Sequence, residues 1–223
     1  VTASTVAITV TANSASKTYD GTALTKDGVT VTGLPAGFTY EATVSGSQTA
    51  AGTSANQVAT FAILDASGTD VTSSFSNVTK VDGTLTVNKR AAQVASPDAT
   101  KVYDGIALTD TAATQSGFVD GEGVTFDVTG TQTNVGSSKN VFTYTATAST
   151  NLDNYTVAKT VGTLTATAAN ITDEARFTVS QPDDVVYNGI EQKQPITVTD
   201  ATTGKTAWGT TRERSIAPTR SPP

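Results

Sequence analysis

Apolar and polar side chains alternate along most of this chain. Val6, Ile8 and Val10 are separated by small or polar residues, and so are Phe38, Tyr40, Ala42 and Val44. Phe61 with Ile63 and Leu85 with Val87 follow the same rule. The scheme returns with Val124, Phe126 and Val128, with Phe142, Tyr144 and Ala146, and with Leu164. Farther on stand Phe177 and Val179, then Ile196 and Val198. Successive side chains of a strand point to opposite faces, so a period of two predicts strands with one face in a core and one in water. No stretch of helix length carries the 3.6-residue period. One short helical turn is predicted at residues 70–75, with Asp70 as its capping residue.

The strands fall into repeats. Tyr19-Asp20-Gly21, Tyr103-Asp104-Gly105 and Tyr187-Asn188-Gly189 recur at a constant interval of 84 residues. Lys17-Thr18-Tyr19-Asp20-Gly21-Thr22-Ala23-Leu24-Thr25 aligns with Lys101-Val102-Tyr103-Asp104-Gly105-Ile106-Ala107-Leu108-Thr109, and Val44-Ser45-Gly46-Ser47-Gln48-Thr49 with Val128-Thr129-Gly130-Thr131-Gln132-Thr133. Each full unit closes on a similar strand, Gly83-Thr84-Leu85-Thr86-Val87 and then Gly162-Thr163-Leu164-Thr165-Ala166. A fixed period of this kind marks tandem modules. The expected organisation is repeat 1 at 1–88, repeat 2 at 89–170, a partial third repeat at 171–206 and a tail at 207–223. The tail, with Trp208, loses the alternation and ends in Pro, and is expected to be disordered or foreign to the repeats. The fold class expected is all-β: antiparallel, immunoglobulin-like β-sandwich modules in a linear array. Small β-grasp-like modules are the alternative.

Composition narrows the function. Roughly one residue in five is Thr, which with Val favours strands. The chain has no His, no Cys and no Met. That removes Ser-His-Asp and Cys-His catalysis, thiolate zinc sites and disulfides. The absent Met points to a fragment or a processed form. Net charge is −6, and Arg212, Arg214 and Arg220 against Glu213 make the tail basic and the rest more acidic still. An acidic surface repels nucleic acid and anionic membranes, and no apolar run is long enough to span a bilayer. Neither nucleic acid nor membrane insertion is therefore expected, and no export or anchoring motif occurs in the chain.

The tyrosine motif could place catalytic acids or metal ligands at Asp20 and Asp104, or it could be a tight turn with a Tyr beside it. The third copy favours the turn. Asn188 cannot act as a general acid, whereas Asp-Gly and Asn-Gly are equivalent turn formers. Asp120, Glu122 and Asp127 match no calcium loop and read as a solvated acidic hairpin. A carboxylate pair for glycoside hydrolysis is the remote enzymatic alternative, but no acidic pair recurs between repeats. No catalytic, cofactor or metal site is predicted, and the chain is not expected to be an enzyme. Lys17 and Lys101 occupy equivalent places. Amide bonds from Lys17 to Asn88 and from Lys101 to Asn170 are one reading, and lysines at a strand edge are the other. Val185 at this place in the third copy favours the edge. Asn77, Asn154 and Asn170 open glycosylation-type triplets that a Thr-rich chain produces by composition.

Lys17 to Leu24, residues 70–75 and Val81-Asp82-Gly83-Thr84-Leu85-Thr86-Val87 resemble the YDG/MBG-type tandem repeats of large bacterial cell-surface proteins and adhesins, over about residues 5–200. Val161, where repeat 1 has Asp82, and the Tyr187-Asn188-Gly189 variant depart from the pattern. The resemblance implies an extracellular chain, attached to the cell wall or secreted. It implies a stalk that holds a distal binding region away from the cell, with neighbouring repeats as partners. The rival is an adhesive module for a host glycan or matrix protein, with an exposed aromatic patch near Trp208 or on a loop of repeat 2.

Overall fold

A computed structural model describes residues 2–180 and 193–212. It is all-β, with several small sheets. Two single 3₁₀ turns, Thr72–Ser74 and Leu152–Asn154, are the helical segments among the described residues. The N-cap of the first turn is Val71 rather than the expected Asp70, and no side chain caps it; Asp70, one residue earlier, accepts from Thr72 N at 2.9 Å and Thr72 Oγ1 at 2.6 Å. No helix among the described residues is long and apolar enough to cross a membrane.

The chain forms two compact units. One holds Val1–Ser96, Ala112–Asp127 and Phe142–Thr160; the other holds Pro97–Thr111, Val128–Val141 and Val161–Pro223. The first unit contains all of repeat 1, built from β1 (Ile8–Ala12), β2 (Ala15–Thr18), β3 (Val29–Thr32), β4 (Thr39–Ser45), β5 (Gly52–Leu64), β6 (Val78–Val81) and β7 (Gly83–Asn88). They make two sheets, ordered β3-β1-β6 and β2-β7-β5-β4. The alternation does what period two requires. Ile8, Val10 and Ala12 are buried, as are Leu85 and Val87. Ile63 and Val58 meet Ile8 and Val10 in the core, with Phe38 and Phe75 packed edge to face at 5.3 Å.

The strand directions depart from the antiparallel expectation in one respect. β1·β3, β4·β5 and β5·β7 are antiparallel, but β1·β6 and β2·β7 are parallel. Alternation reports which face is buried and carries no information about direction.

Repeat 2 runs through β8 (Arg90–Ala95), β9 (Ala99–Val102), β10 (Thr114–Ser116), β11 (Val124–Val128), β12 (Gly136–Lys139), β13 (Phe142–Ala146), β14 (Tyr155–Thr160) and β15 (Thr163–Thr167). Its sheet β10-β8-β14 reproduces β3-β1-β6, and β12-β15-β9 reproduces the β5-β7-β2 part of the second sheet, while β11-β13 stands as a separate two-stranded sheet. The 13-residue β5 is divided here into β12 and β13. The third repeat supplies β16 (Phe177–Val179), β17 (Lys193–Asp200) and β18 (Thr206–Arg212). Thr9 faces Thr32 in β1·β3, Gln93 faces Ser116 in β8·β10, and Phe177 faces Asp200 in β16·β17. One register thus recurs three times at the repeat interval. β18 pairs with β17 from Thr206 to Arg212, so the strand pattern continues past Ala207, where disorder was expected; the remainder of the tail lies outside the described residues.

Candidate functional site

In repeats 1 and 2 the tyrosine motif follows directly on the second strand. Tyr19 N donates to Asn88 O on β7, and Tyr103 N to Thr167 O on β15, both at 2.8 Å. Each chain then turns through a glycine in the left-handed region, Gly21 at φ 80° and Gly105 at φ 82°, which a side chain would strain. The aspartate between them organises the turn. Asp20 Oδ1 accepts from Thr22 N at 2.9 Å, from Thr22 Oγ1 at 2.8 Å and from Lys17 Nζ at 2.6 Å. Asp104 Oδ1 accepts from Ile106 N at 3.0 Å and from Lys101 Nζ at 2.7 Å. The lysine bond, followed by the turn N–H, holds both carboxyls below the usual carboxylate range. Such groups stay ionised and serve as acceptors.

The rest of the repeated string closes the loop. Leu24 and Gln48 exchange backbone bonds at 2.8 and 3.1 Å, and Leu108 and Gln132 at 2.8 and 3.0 Å. A buried asparagine that the alternation does not single out lies behind them. Asn56 is 1% exposed, and its Nδ2 donates to Asn13 O at 2.8 Å and Lys26 O at 2.7 Å. Asn140, 84 residues on, donates to Pro97 O at 3.1 Å and Asp110 O at 3.0 Å, the equivalent carbonyls. Gly46 is required beside it, because a Cβ there would meet Asn56 Oδ1 at 2.9 Å and Ala55 O at 2.7 Å.

The Tyr19 side chain leaves its own repeat. It is 6% exposed and packs with Ala92, Tyr155, Phe118 and Val119 of repeat 2. Its ring meets that of Tyr155 edge on at 5.5 Å, and Phe118 lies 4.8 Å from Tyr155 on another side. Glu122 joins the two hydroxyls: Tyr19 OH donates to Oε1 at 2.6 Å and Tyr155 OH to Oε2 at 2.8 Å. Tyr155 OH also accepts from Val119 N at 3.1 Å. Nearby, Ala51 N donates to Asn154 Oδ1 at 2.8 Å. The bond to Glu122 and then burial push the Tyr19 hydroxyl upward, and burial above all pushes Tyr155 up to about 12. Glu122 therefore differs from its expected place in a solvated hairpin. It is half-buried between two phenols, whereas its neighbours Asp120 and Asp127 are exposed.

Tyr103 repeats the loop in different surroundings. Its side chain is half-buried, and its carbonyl accepts from Arg176 Nη2. Arg176 also forks onto Asp200, Nε to Oδ1 at 2.9 Å and Nη2 to Oδ2 at 2.8 Å. That pairing holds the Asp200 carboxyl well below the usual range. Tyr103, Ile171, Phe177 and Val198 line an open, mainly apolar groove of about 440 Å³.

The other residues singled out from sequence take structural places. Asn88 Nδ2 donates to the Lys17 carbonyl at 3.4 Å, while the Lys17 ammonium bonds Asp20 and, at 2.6 Å, Thr22 O. Asn170 Oδ1 accepts from Thr172 N at 3.1 Å and Thr172 Oγ1 at 2.9 Å. Tyr187, Asn188, Gly189 and Val185 lie outside the described residues, as does the side chain of Trp208. Among the described residues no three Asp or Glu converge as metal ligands would. Tyr40 is the one aromatic among the large hydrophobic residues exposed there. Comparison of the chain with protein-family models, with curated proteins and with solved structures finds no match.

Proposed function

We propose that this chain is a spacer segment of a bacterial surface protein, made of sandwich-type β repeats joined end to end, and that its tyrosine loops are the joints. The observation that carries this reading is the burial of Tyr19 of repeat 1 against Tyr155, Phe118 and Glu122 of repeat 2. A spacer needs repeats that hold a fixed relation to their neighbours. Flexible linkers let modules reorient, whereas a buried aromatic with a satisfied hydroxyl fixes one orientation. The roles of Asp20 and Asp104 in the turns support a structural motif over a catalytic one. Among the described residues exposed aromatics are scarce, which supports a spacer over an adhesive face, because binding patches are rich in them.

The absence of cysteine makes the test clean. Spin labels at Ala66→Cys in repeat 1 and Thr143→Cys in repeat 2, both exposed, report the distance across the joint. A narrow distribution is expected in the parent chain, and a broad one when Tyr19→Ala is added. A broad distribution in the parent chain would overturn the reading.

A further inference from the structure

The pairing of the first and last strands of repeat 1 bears on how this segment would respond to force. Ile8 pairs with Val78 and Thr11 with Val81; farther along, Ala15 pairs with Leu85 and Thr18 with Asn88. The interval is 70 at every pair, so β1–β2 and β6–β7 form one parallel ribbon that never slips register across the break between sheets. Ahead of it Ser4 bridges Phe75 at an interval of 71; Ile8 N to Asn77 O at 2.9 Å then starts the ribbon, and Tyr19 N to Asn88 O at 2.8 Å ends it. In the middle, Thr84 N donates to Ser14 Oγ at 2.9 Å, and Asn56 ties the Asn13 carbonyl to β5.

Parallel strands start at the same end. The chain therefore comes into repeat 1 at the Ile8 end of the ribbon and leaves it at the Asn88 end. At roughly 3.3 Å per residue the ends are on the order of 35 Å apart. Tension applied through the chain pulls β1–β2 one way and β6–β7 the other, along their own axes. Every rung is then loaded at once, and the ribbon must shear as a whole. A hairpin pulled at its open end loads one rung at a time and peels. The same pairing recurs in repeat 2: Arg90 with Tyr155 and Ala95 with Thr160, then Ala99 with Leu164 and Val102 with Thr167, at a constant interval of 65.

We infer that repeat 1 is a tensile clamp, with a parallel ribbon of its first and last strands that resists forces directed along the chain. This deepens the spacer reading, which gives the clamp its use, but the two fail separately. The label distances test the joint, and pulling tests the ribbon inside one repeat.

Single-molecule pulling of the full chain through paired cysteines decides it. Handles at Thr2→Cys and Lys89→Cys load the ribbon in shear. Handles at Thr2→Cys and Ser73→Cys grip β1 and β6 near the same end and peel them. All three positions are exposed. Unfolding of repeat 1 is expected at a severalfold higher force in the first geometry. Equal forces would overturn the clamp. A second comparison stays within the shear geometry. In a parallel ladder that begins with Ile8 N to Asn77 O, Thr79 N–H is the next donor from β6 and Lys80 N–H points away. Thr79→Pro should lower the shear force well below that of Lys80→Pro. Indistinguishable forces for these two folded variants would also count against the ribbon.

Discussion

Tyr19 and Tyr103 stand in almost the same nine-residue string, and their loops have the same backbone, the same lysine–aspartate pair and the same bridge to a glutamine. Their side chains do not share a fate. Tyr19 is buried, with its hydroxyl on Glu122, whereas Tyr103 is half-buried and engaged through its carbonyl by Arg176. The difference lies in the partner. Phe118, Glu122, Asn154 and Tyr155 receive the first loop, and Arg176, Phe177 and Asp200 surround the second. A repeated motif thus determines a local turn, and the residues of the next repeat determine whether its tyrosine is buried.

The largest expected effect separates the two loops directly. Tyr19→Ala should destabilise by about 3 kcal/mol, the usual cost of emptying a buried aromatic site, and Tyr103→Ala by about 1 kcal/mol or less. Urea unfolding of both variants checks this, and equal losses would break the comparison.

The asparagines should instead behave alike. Asn56→Ala and Asn140→Ala each strand two carbonyls that a buried amide had satisfied, a loss of about 2 kcal/mol. Hydrogen exchange near Lys26 and Asp110 would report the local opening.

Alkali should act on the contact between Tyr19, Tyr155 and Glu122. Tyr155 titrates at about 12 in the fold against 10.0 when unperturbed, so the folded state holds this proton more tightly. The stabilisation is complete below about pH 10 and is lost as pH rises from there towards 12. Unfolding followed from pH 8 to 11.5 should show a steeper alkaline decline in the parent chain than in Tyr155→Phe.

Smaller still is the effect of Asp20→Asn, since the third repeat carries Asn188 at this place. The folded state holds the Asp20 carboxyl below its ordinary 3.8, so its contribution is present above that pH and lost below it. Acid unfolding of the parent chain should therefore carry a component that the Asn variant lacks. Last, an intact mass equal to the sequence mass is expected, since Lys17 and Lys101 are paired with Asp20 and Asp104. A loss of about 17 Da per repeat would break the shared picture of the loops.

Much of this was legible in the chain. Period two placed Ile8, Val10, Leu85 and Val87 in the core, and the interval of 84 aligned loops whose hydrogen bonds then proved equivalent. Glu122 was not legible, because repeat 1 has Phe38 at its equivalent position and a periodic search has nothing to align. Asn56 and Asn140 do recur at the interval, yet they sit in polar segments, Asn56 within β5 and Asn140 between β12 and β13, where an amide passes for a solvent-facing residue. The parallel direction of the outer strands was hidden for a third reason. It depends on a connection of about sixty residues, which local alternation does not encode.

The pairing intervals of the two repeats also differ by five: 70 in repeat 1 against 65 in each of the two parallel strand pairs of repeat 2. The interval of 84 holds from Ile8 and Ala92 through Ala62 and Ala146, and falls to 79 between Val78 and Val157. The five missing residues therefore come out of the connection ahead of the last two strands, where both 3₁₀ turns sit. That connection absorbs the whole difference in length between the two repeats, while the strands on either side keep their pairing.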